Sequence, residues 1–184
     1  DYVKSMGAEV DIFKNETTGN QILARFSSHS HTALASNEKG ILLLCHMDTV
    51  YPLGTITRMP YQEKDGQILG PGVADMKSGA VIGLNSLRFL QENNKMPSFP
   101  IRILFTSDEE IGSHTSRKLI EEMALDSRLV LVLEPGMPDG SIKTWRKGTG
   151  EFHITVHGKA AHAGGDHEKG RNAIEELSHQ VLAI

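Results

Sequence analysis

The unbroken apolar run Ile41-Leu42-Leu43-Leu44-Cys45, which stops abruptly at His46-Met47-Asp48, constrains this chain more than any other segment. A run that is apolar at every position, not at every second one, suits a strand buried on both faces of a parallel sheet. Residues 101–106 and 129–133 repeat the theme. Between these runs, residues 76–93 set Met76, Val81, Leu84, Leu87 and Leu90 at spacings near three and four, the stripe of a helix with one buried face. Residues 116–123 read as a second helix. Strand alternating with helix implies an α/β fold with right-handed crossovers. Nearer the start, residues 8–14 and 21–27 read as short strands around the turn Asn15-Glu16-Thr17-Thr18-Gly19-Asn20, with a polar loop holding His29 and His31 after them.

Past Pro138-Asp139-Gly140 the pattern changes. Glu151-Phe152-His153-Ile154-Thr155-Val156-His157 alternates polar with apolar, as a strand with one wet face does, and residues 171–184 carry Ile174, Leu177, Val181 and Leu182 on one side of a helix. A boundary is expected near residues 145–150, dividing a first domain at 1–147 from a second that begins at 148–184.

Charge and composition remove several functional classes. The net charge of -4 provides no basic face for phosphates, so no nucleic-acid partner is expected. No apolar stretch reaches the ~18 residues of a membrane span, and Asp1-Tyr2-Val3-Lys4 does not resemble a signal peptide. No membrane partner is expected, and the cytoplasm is favoured over export, although a start without Met leaves the N-terminus expected to be incomplete. Hydrophobic residues at 39% and charged residues at 23% are ordinary for a globular chain and argue against disorder. The single cysteine, Cys45, cannot form an internal disulfide and reads as a small buried hydrophobe.

The chemistry gathers where the strands end, because ligands of open α/β sheets bind outside the carboxyl ends of the strands. The first strand delivers His46 and Asp48, the second Asp108, Glu109 and Glu110, and the third Glu134; Asp75 lies between the turn Gly70-Pro71-Gly72 and the first long helix. Taken singly, Asp75 reads as a helix N-terminal charge, Glu109 and Glu110 as solvated loop acids, and Glu134 as a turn acid before Pro135. Taken together they read as a metal site, since carboxylates within ~4 to 6 Å of one another resist joint ionisation unless a cation holds them. One histidine among carboxylates suits Zn²⁺ or another divalent transition metal better than Mg²⁺ or Ca²⁺. Adjacent glutamates suggest a division of labour, one binding metal while its neighbour takes a proton from water. Hydrolysis is the reaction such an arrangement serves.

Four segments in order carry a family resemblance: residues 40–50 ending His46-Met47-Asp48-Thr49-Val50, then Gly70-Pro71-Gly72-Val73-Ala74-Asp75-Met76-Lys77-Ser78-Gly79, then Ser107-Asp108-Glu109-Glu110-Ile111-Gly112-Ser113, then Leu133-Glu134-Pro135. They resemble the metal motifs of the zinc-dependent exopeptidases and amidohydrolases that include glutamate carboxypeptidase, succinyl-diaminopimelate desuccinylase, acetylornithine deacetylase and the aminoacylases. Tyr51-Pro52-Leu53-Gly54 and Leu133-Glu134-Pro135 look most like the glutamate carboxypeptidase branch. The resemblance implies a mostly parallel sheet with flanking helices, followed by the start of a smaller α+β lid or dimerisation domain, in a chain that is part of a longer protein and forms a homodimer at full length.

It also implies roles. Asp75 would bridge two Zn²⁺ ions, with Co²⁺ or Mn²⁺ as alternatives; His46 and Glu134 would complete one ion's ligands and Glu110 would serve the other, whose histidine would come from beyond Ile184. Glu109 would be the general base, and Asp48 would hydrogen-bond the His46 imidazole. Gly158-Lys159-Ala160-Ala161-His162-Ala163-Gly164 resembles the lid motif whose histidine stabilises an oxyanion in the partner subunit, so His162 is a catalytic candidate against a surface-loop alternative. Gly170-Arg171-Asn172-Ala173 makes Asn172 a substrate contact or, alternatively, a helix N-terminal polar residue. A cis peptide is implied at Asp75-Met76. His29, His31, His114, His153, His157, His167 and His179 read as surface or strand histidines.

The reaction expected is hydrolysis of an amide bond beside a free carboxylate, in a small peptide, with a C-terminal amino acid released. N-acyl amino acid deacylation is the alternative within the same chemistry, and a catalytically silent binding module the alternative outside it. Phosphoryl transfer is disfavoured because Gly70-Pro71-Gly72 lacks the Gly-Lys-Ser/Thr ending of a phosphate loop, and serine hydrolysis because no Gly-x-Ser-x-Gly occurs.

Overall fold

The computed structural model describes residues 1–26 and 39–184. The expected loop with His29 and His31, and the last residue of the second expected strand, lie outside the described residues. The described chain divides into two compact units, Asp1–Ser141 and Ile142–Ile184.

The first unit runs α1 (Tyr2–Ser5), β1 (Glu9–Phe13), β2 (Gln21–Phe26), β3 (Gly40–His46), α2 (Thr55–Arg58), β4 (Gln62–Lys64), β5 (Gln67–Leu69), α3 (Ser78–Glu92), β6 (Ile101–Thr106), α4 (Arg117–Leu125) and β7 (Ser127–Val132). Five of the strands form one sheet in the order β1-β2-β6-β3-β7. Its centre explains the uninterrupted apolar run. Leu43 and Cys45 of β3 enter a core with Leu87 and its α3 neighbours Ala80, Leu84 and Leu90. Leu42 and Leu44 enter a second core with Leu119, Ile120 and Met123 of α4. Successive side chains of a strand point to opposite faces, so a strand covered by helices on both sides must be apolar throughout.

The expectation of a mostly parallel sheet holds at the centre and fails at one side. β3 pairs in parallel with both β6 and β7, whereas β1–β2 and β2–β6 are antiparallel, which makes the sheet mixed. The short turn between β1 and β2 decides this, because a parallel return needs a crossover of a dozen or more residues. For the site the consequence is simple: β3, β6 and β7 run the same way and deliver their following residues to one edge. A small hairpin, β4–β5, was not anticipated. Its signal is Asp65-Gly66, both at positive φ (52° and 73°), the dipeptide that favours tight hairpins.

Helix α3 begins against the end of the sheet. A Cβ at Gly79 would collide with the carbonyl oxygen of Leu133, just past β7, so only glycine lets the helix approach that backbone. Replacing Gly79 with Val is expected to destabilise the protein by about 3 kcal/mol or more, the upper end of overpacking costs, because the clash is with main chain that cannot rotate away. Urea unfolding of the full-length variant measures this, and a midpoint equal to wild type would show that α3 can shift without cost.

The second unit holds a single bridge between Lys159 and Arg171, the 3-10 turn His167–Lys169, and α5 (Ala173–Ala183). The helix expected over 171–184 is there. The strand expected over 151–157 is not: the segment alternates as a strand would but has no pairing partner among the described residues, and an unpaired strand has no ladder to hold it. No helix among the described residues is long and apolar enough to cross a membrane.

Candidate metal centre

His46 is the last residue of β3 and is 2% exposed, seated where its main-chain N–H donates to Met76 Sδ at 3.0 Å. Its Nδ1 lies 3.1 Å from the Asp48 carbonyl oxygen. A carbonyl can only accept, so Nδ1 carries a proton, which leaves Nε2 as the ring atom a metal would take. Around Nε2 stand Asp75 Oδ1 at 3.0 Å, Glu134 Oε1 at 3.3 Å and, farther off, Glu109 Oε2 at 3.9 Å. One donor atom each from His46, Asp75 and Glu134 falls within 4.8 Å of the others. That spacing and the imidazole-plus-carboxylate donor set fit a zinc-like ion with ligands at ~2.0 to 2.2 Å.

Asp75 reaches this position from the turn Val73–Lys77, whose backbone leaves helical geometry at Asp75 and Met76. The Asp75–Met76 peptide is cis, as the family resemblance implied. Lys77 Nζ donates to Met47 O at 3.2 Å and ties this turn to the residues following β3. Glu134 follows Leu133, whose N–H still donates to Leu44 O at 3.1 Å and extends the β3–β7 pairing to the edge.

The electrostatics are those of crowded carboxylates. Burial raises the Glu134 carboxyl above its ordinary range and the Asp75 charge raises it further, against the pull of His46. Glu109 is raised by burial, opposed by His46, and raised again by Glu110, Asp48 and Asp75. For His46, burial works to lower the imidazole, but the hydrogen bond to Asp75 and the charges of Glu134, Asp48 and Glu109 outweigh it, leaving the net shift upward. Cys45, behind the site, is pushed up to about 12 by burial and then by Glu134, which keeps its thiol inert.

The remaining residues separate into distinct positions. The Asp48 carboxylate does not make the expected close hydrogen bond to the imidazole: its Oδ1 is 3.4 Å from Nδ1 with no hydrogen-bond partner among the described residues, and the main-chain carbonyl takes that role. Asp48 Oδ2 instead accepts the Glu110 main-chain N–H at 3.0 Å. Glu110 sits in the 3-10 turn Glu109–Ile111 and contributes no donor to the three-residue cluster. Asp108, anticipated as a metal-competent acid, is turned away. It is fully buried, and its Oδ2 accepts from Thr115 N, Thr115 Oγ1 and Ser116 N at 2.7, 2.9 and 3.3 Å. Burial would raise its carboxyl, yet the Ser116 and Thr115 groups prevail and hold it below its ordinary value; the Ser116 hydroxyl acts through space, without hydrogen-bond geometry.

In the second unit, His162 is exposed and its Nδ1 accepts from Gly164 N and Gly165 N at 3.2 and 3.1 Å. Asn172 caps α5, its Oδ1 accepting from Ile174 N at 3.0 Å and Glu175 N at 3.3 Å, the helix N-terminal reading of that residue. Sequence reasoning did not single out Gln21 or Thr115, which brace the Glu109 turn. No sequence signal marks either one, because a buried glutamine at a strand start and a threonine in a loop are common.

Residues 42–183 match Peptidase family M20/M25/M40. The chain belongs to this family. The M20 chain is 39% identical over 145 residues to carboxypeptidase G2 of Pseudomonas sp. strain RS-16, an alignment covering 78% of this chain and 35% of that protein. It is 33% identical over 154 residues to acetylornithine deacetylase of Proteus mirabilis strain HI4320, covering 81% of this chain and 38% of that protein. A probable succinyl-diaminopimelate desuccinylase of Staphylococcus epidermidis aligns at 27% identity with 96% of this chain and 43% of its own length. The M20 chain thus spans between 35% and 43% of the length of these curated relatives. Among solved structures, aminopeptidase PepT of Bacillus cereus superposes with a TM-score of 0.64 at 22% identity, covering 96% of this chain and 47% of that one, a likeness of fold. The family resemblance read from the four motifs is borne out.

Proposed function

We propose that the whole protein hydrolyses an amide bond adjacent to a free carboxylate and releases a C-terminal amino acid, as a glutamate-carboxypeptidase-like metallohydrolase with two Zn²⁺ ions, or Co²⁺ or Mn²⁺ in their place. The observation that carries this reading is the division of carboxylates around His46 Nε2: Asp75 and Glu134 fall within donor spacing of one another, while Glu109 stands back at 3.9 Å. Bound at this cluster, Zn²⁺ supplies a Lewis acid that polarises the scissile carbonyl and acidifies water. The chain's residues do the rest. His46 presents Nε2 because Asp48 O holds its Nδ1 proton. Asp75 and Glu134 would hold the first ion together with His46, and Asp75 and Glu110 would hold the second. Glu109, raised by burial and its acidic neighbours, takes the proton of the attacking water and returns it to the leaving amine. His162 is assigned to the oxyanion across a homodimer, and Asn172 to the substrate. The relationship to carboxypeptidase G2 supports the carboxypeptidase reading; that to acetylornithine deacetylase favours N-acyl amino acid deacylation as the second.

The full-length protein tests this. After chelation and readdition of Zn²⁺, it is expected to bind about two equivalents, as two-metal hydrolases do, and to cleave peptides or acyl derivatives ending in a free amino acid carboxylate. Release of the amino acid from a C-terminal glutamyl substrate but not from its amide would support the carboxypeptidase reading, faster cleavage of simple N-acyl amino acids the deacylase. Full activity after removal of all metal would sink both.

A further inference from the structure

The proposed base Glu109 rides on a loop whose two ends meet a single side chain from a different strand. Gln21, the first residue of β2, is 3% exposed. Its Oε1 accepts the Ser107 main-chain N–H at 2.8 Å, on the approach to Glu109, and its Nε2 donates to Thr115 Oγ1 at 3.3 Å, on the return. Within the loop, Asp108 closes the same span: its carbonyl accepts Ser113 N–H at 2.7 Å and its carboxylate accepts the Thr115 and Ser116 groups.

Donor inventory fixes the direction of every bond. Asp108 Oδ2 accepts three bonds, one of them from the Thr115 hydroxyl, so the one hydroxyl hydrogen of Thr115 points there. Thr115 Oγ1 then accepts from Gln21 Nε2 and from Thr18 Oγ1 at 2.8 Å, a nearer partner for the Thr18 hydroxyl than Asn15 Oδ1 at 3.4 Å. Thr18 belongs to the β1–β2 turn, where its N–H is held by Asn15 Oδ1 at 3.1 Å. The neighbouring Gly19 carbonyl accepts Ser107 Oγ–H at 2.8 Å. The amide orientation of Gln21 is likewise determined, since Oε1 must face an N–H and Nε2 a hydroxyl oxygen. The donors thus run one way, from Ser107 N–H to Gln21, from Gln21 and Thr18 to Thr115, and from Thr115 into Asp108.

We propose that Gln21 is a positioning residue for Glu109: by holding both ends of the 107–115 loop it sets where the base stands relative to His46, Asp75 and Glu134. This rests on Glu109 acting as the base. None of these groups needs to touch substrate, and a misplacement of about 1 Å at the base is enough to cost ~10²-fold in turnover.

The test uses the full-length protein carrying Gln21→Met, Thr115→Val or Thr115→Ser. Gln21→Met and Thr115→Val are expected to lower kcat by ~10 to 100-fold with KM and bound metal near wild type, as expected when alignment and not binding is lost. In the metal-free state, amide exchange at Glu109–Gly112 is expected to rise about tenfold, as local opening becomes easier. Thr115→Ser, which keeps the hydroxyl, restores both readouts. Should Gln21→Met fail to fold, Thr115→Val at its exposed position carries the same measurements. Unchanged exchange in the folded variants overturns the proposal, as does an equal loss in Thr115→Ser. If the wild-type protein cleaves no amide, the functional reading fails while the exchange comparison still decides whether Gln21 holds the loop.

Discussion

Replacing Glu109 with Gln in the full-length protein is expected to leave its metal content intact and to lower kcat by about 10²- to 10⁴-fold, the contribution of a positioned general base. The geometry separates this residue from the cluster: its Oε2 is 3.9 Å from His46 Nε2, beyond Asp75 and Glu134 at 3.0 and 3.3 Å. Burial pushes its carboxyl up, and Glu110, Asp48 and Asp75 add to that against the opposing His46, so it is a better proton acceptor than a solvated glutamate. Gln keeps the shape and the hydrogen-bonding capacity but cannot take the proton. Steady-state kinetics with parallel metal analysis decide the matter. Turnover near wild type would remove Glu109 from the mechanism, and loss of bound metal would make it a ligand instead.

Replacing Asp75 with Ala is expected to abolish measurable turnover and weaken metal binding by at least ~100-fold, exceeding the ~10 to 100-fold cost of losing a supporting residue. Asp75 is the cluster's meeting point, hydrogen-bonded to His46 Nε2 and within donor spacing of Glu134, whose carboxyl its charge raises. Its side chain is 58% exposed, so its removal creates no cavity, and the metal-free fold should keep its stability within about 1 kcal/mol. Calorimetric titration of the chelated protein with Zn²⁺, beside urea unfolding without metal, separates ligand loss from unfolding. Wild-type affinity for Zn²⁺ in this variant would show that Asp75 is not a ligand.

The sheet's centre was legible in the sequence because burial on both faces leaves an unmistakable trace: Leu42 to one helix layer, Leu43 to the other, and no polar position to spare. The antiparallel side was not. Residues 9–13 and 21–26 show that they can be strands, but which strand β2 adopts as its second neighbour depends on contacts far away in sequence. The 151–157 segment makes the same point in reverse, since alternation describes the faces a strand would have and says nothing about a partner. In the metal cluster, His46, Asp75 and Glu134 were readable because strand ends and motif order both point to them. Asp108 misled for a physical reason. Placed at the same edge, it satisfies its charge inward on Thr115 and Ser116, and a sequence shows the position of an acid but not the direction it faces. Gln21 left no trace because its role consists of two hydrogen bonds to a loop some ninety residues away.

The contact of Gly79 with the Leu133 carbonyl gives the site a ruler made of main chain. Asp75 lies just before α3, whose second residue is Gly79, and Glu134 directly follows Leu133 just past the end of β7, so their separation is set where two backbones touch and not by the fit of interchangeable side chains. An engineer could therefore recut the loops around the pocket, or repack the neighbouring core, without retuning the donor spacing, provided that one glycine stays.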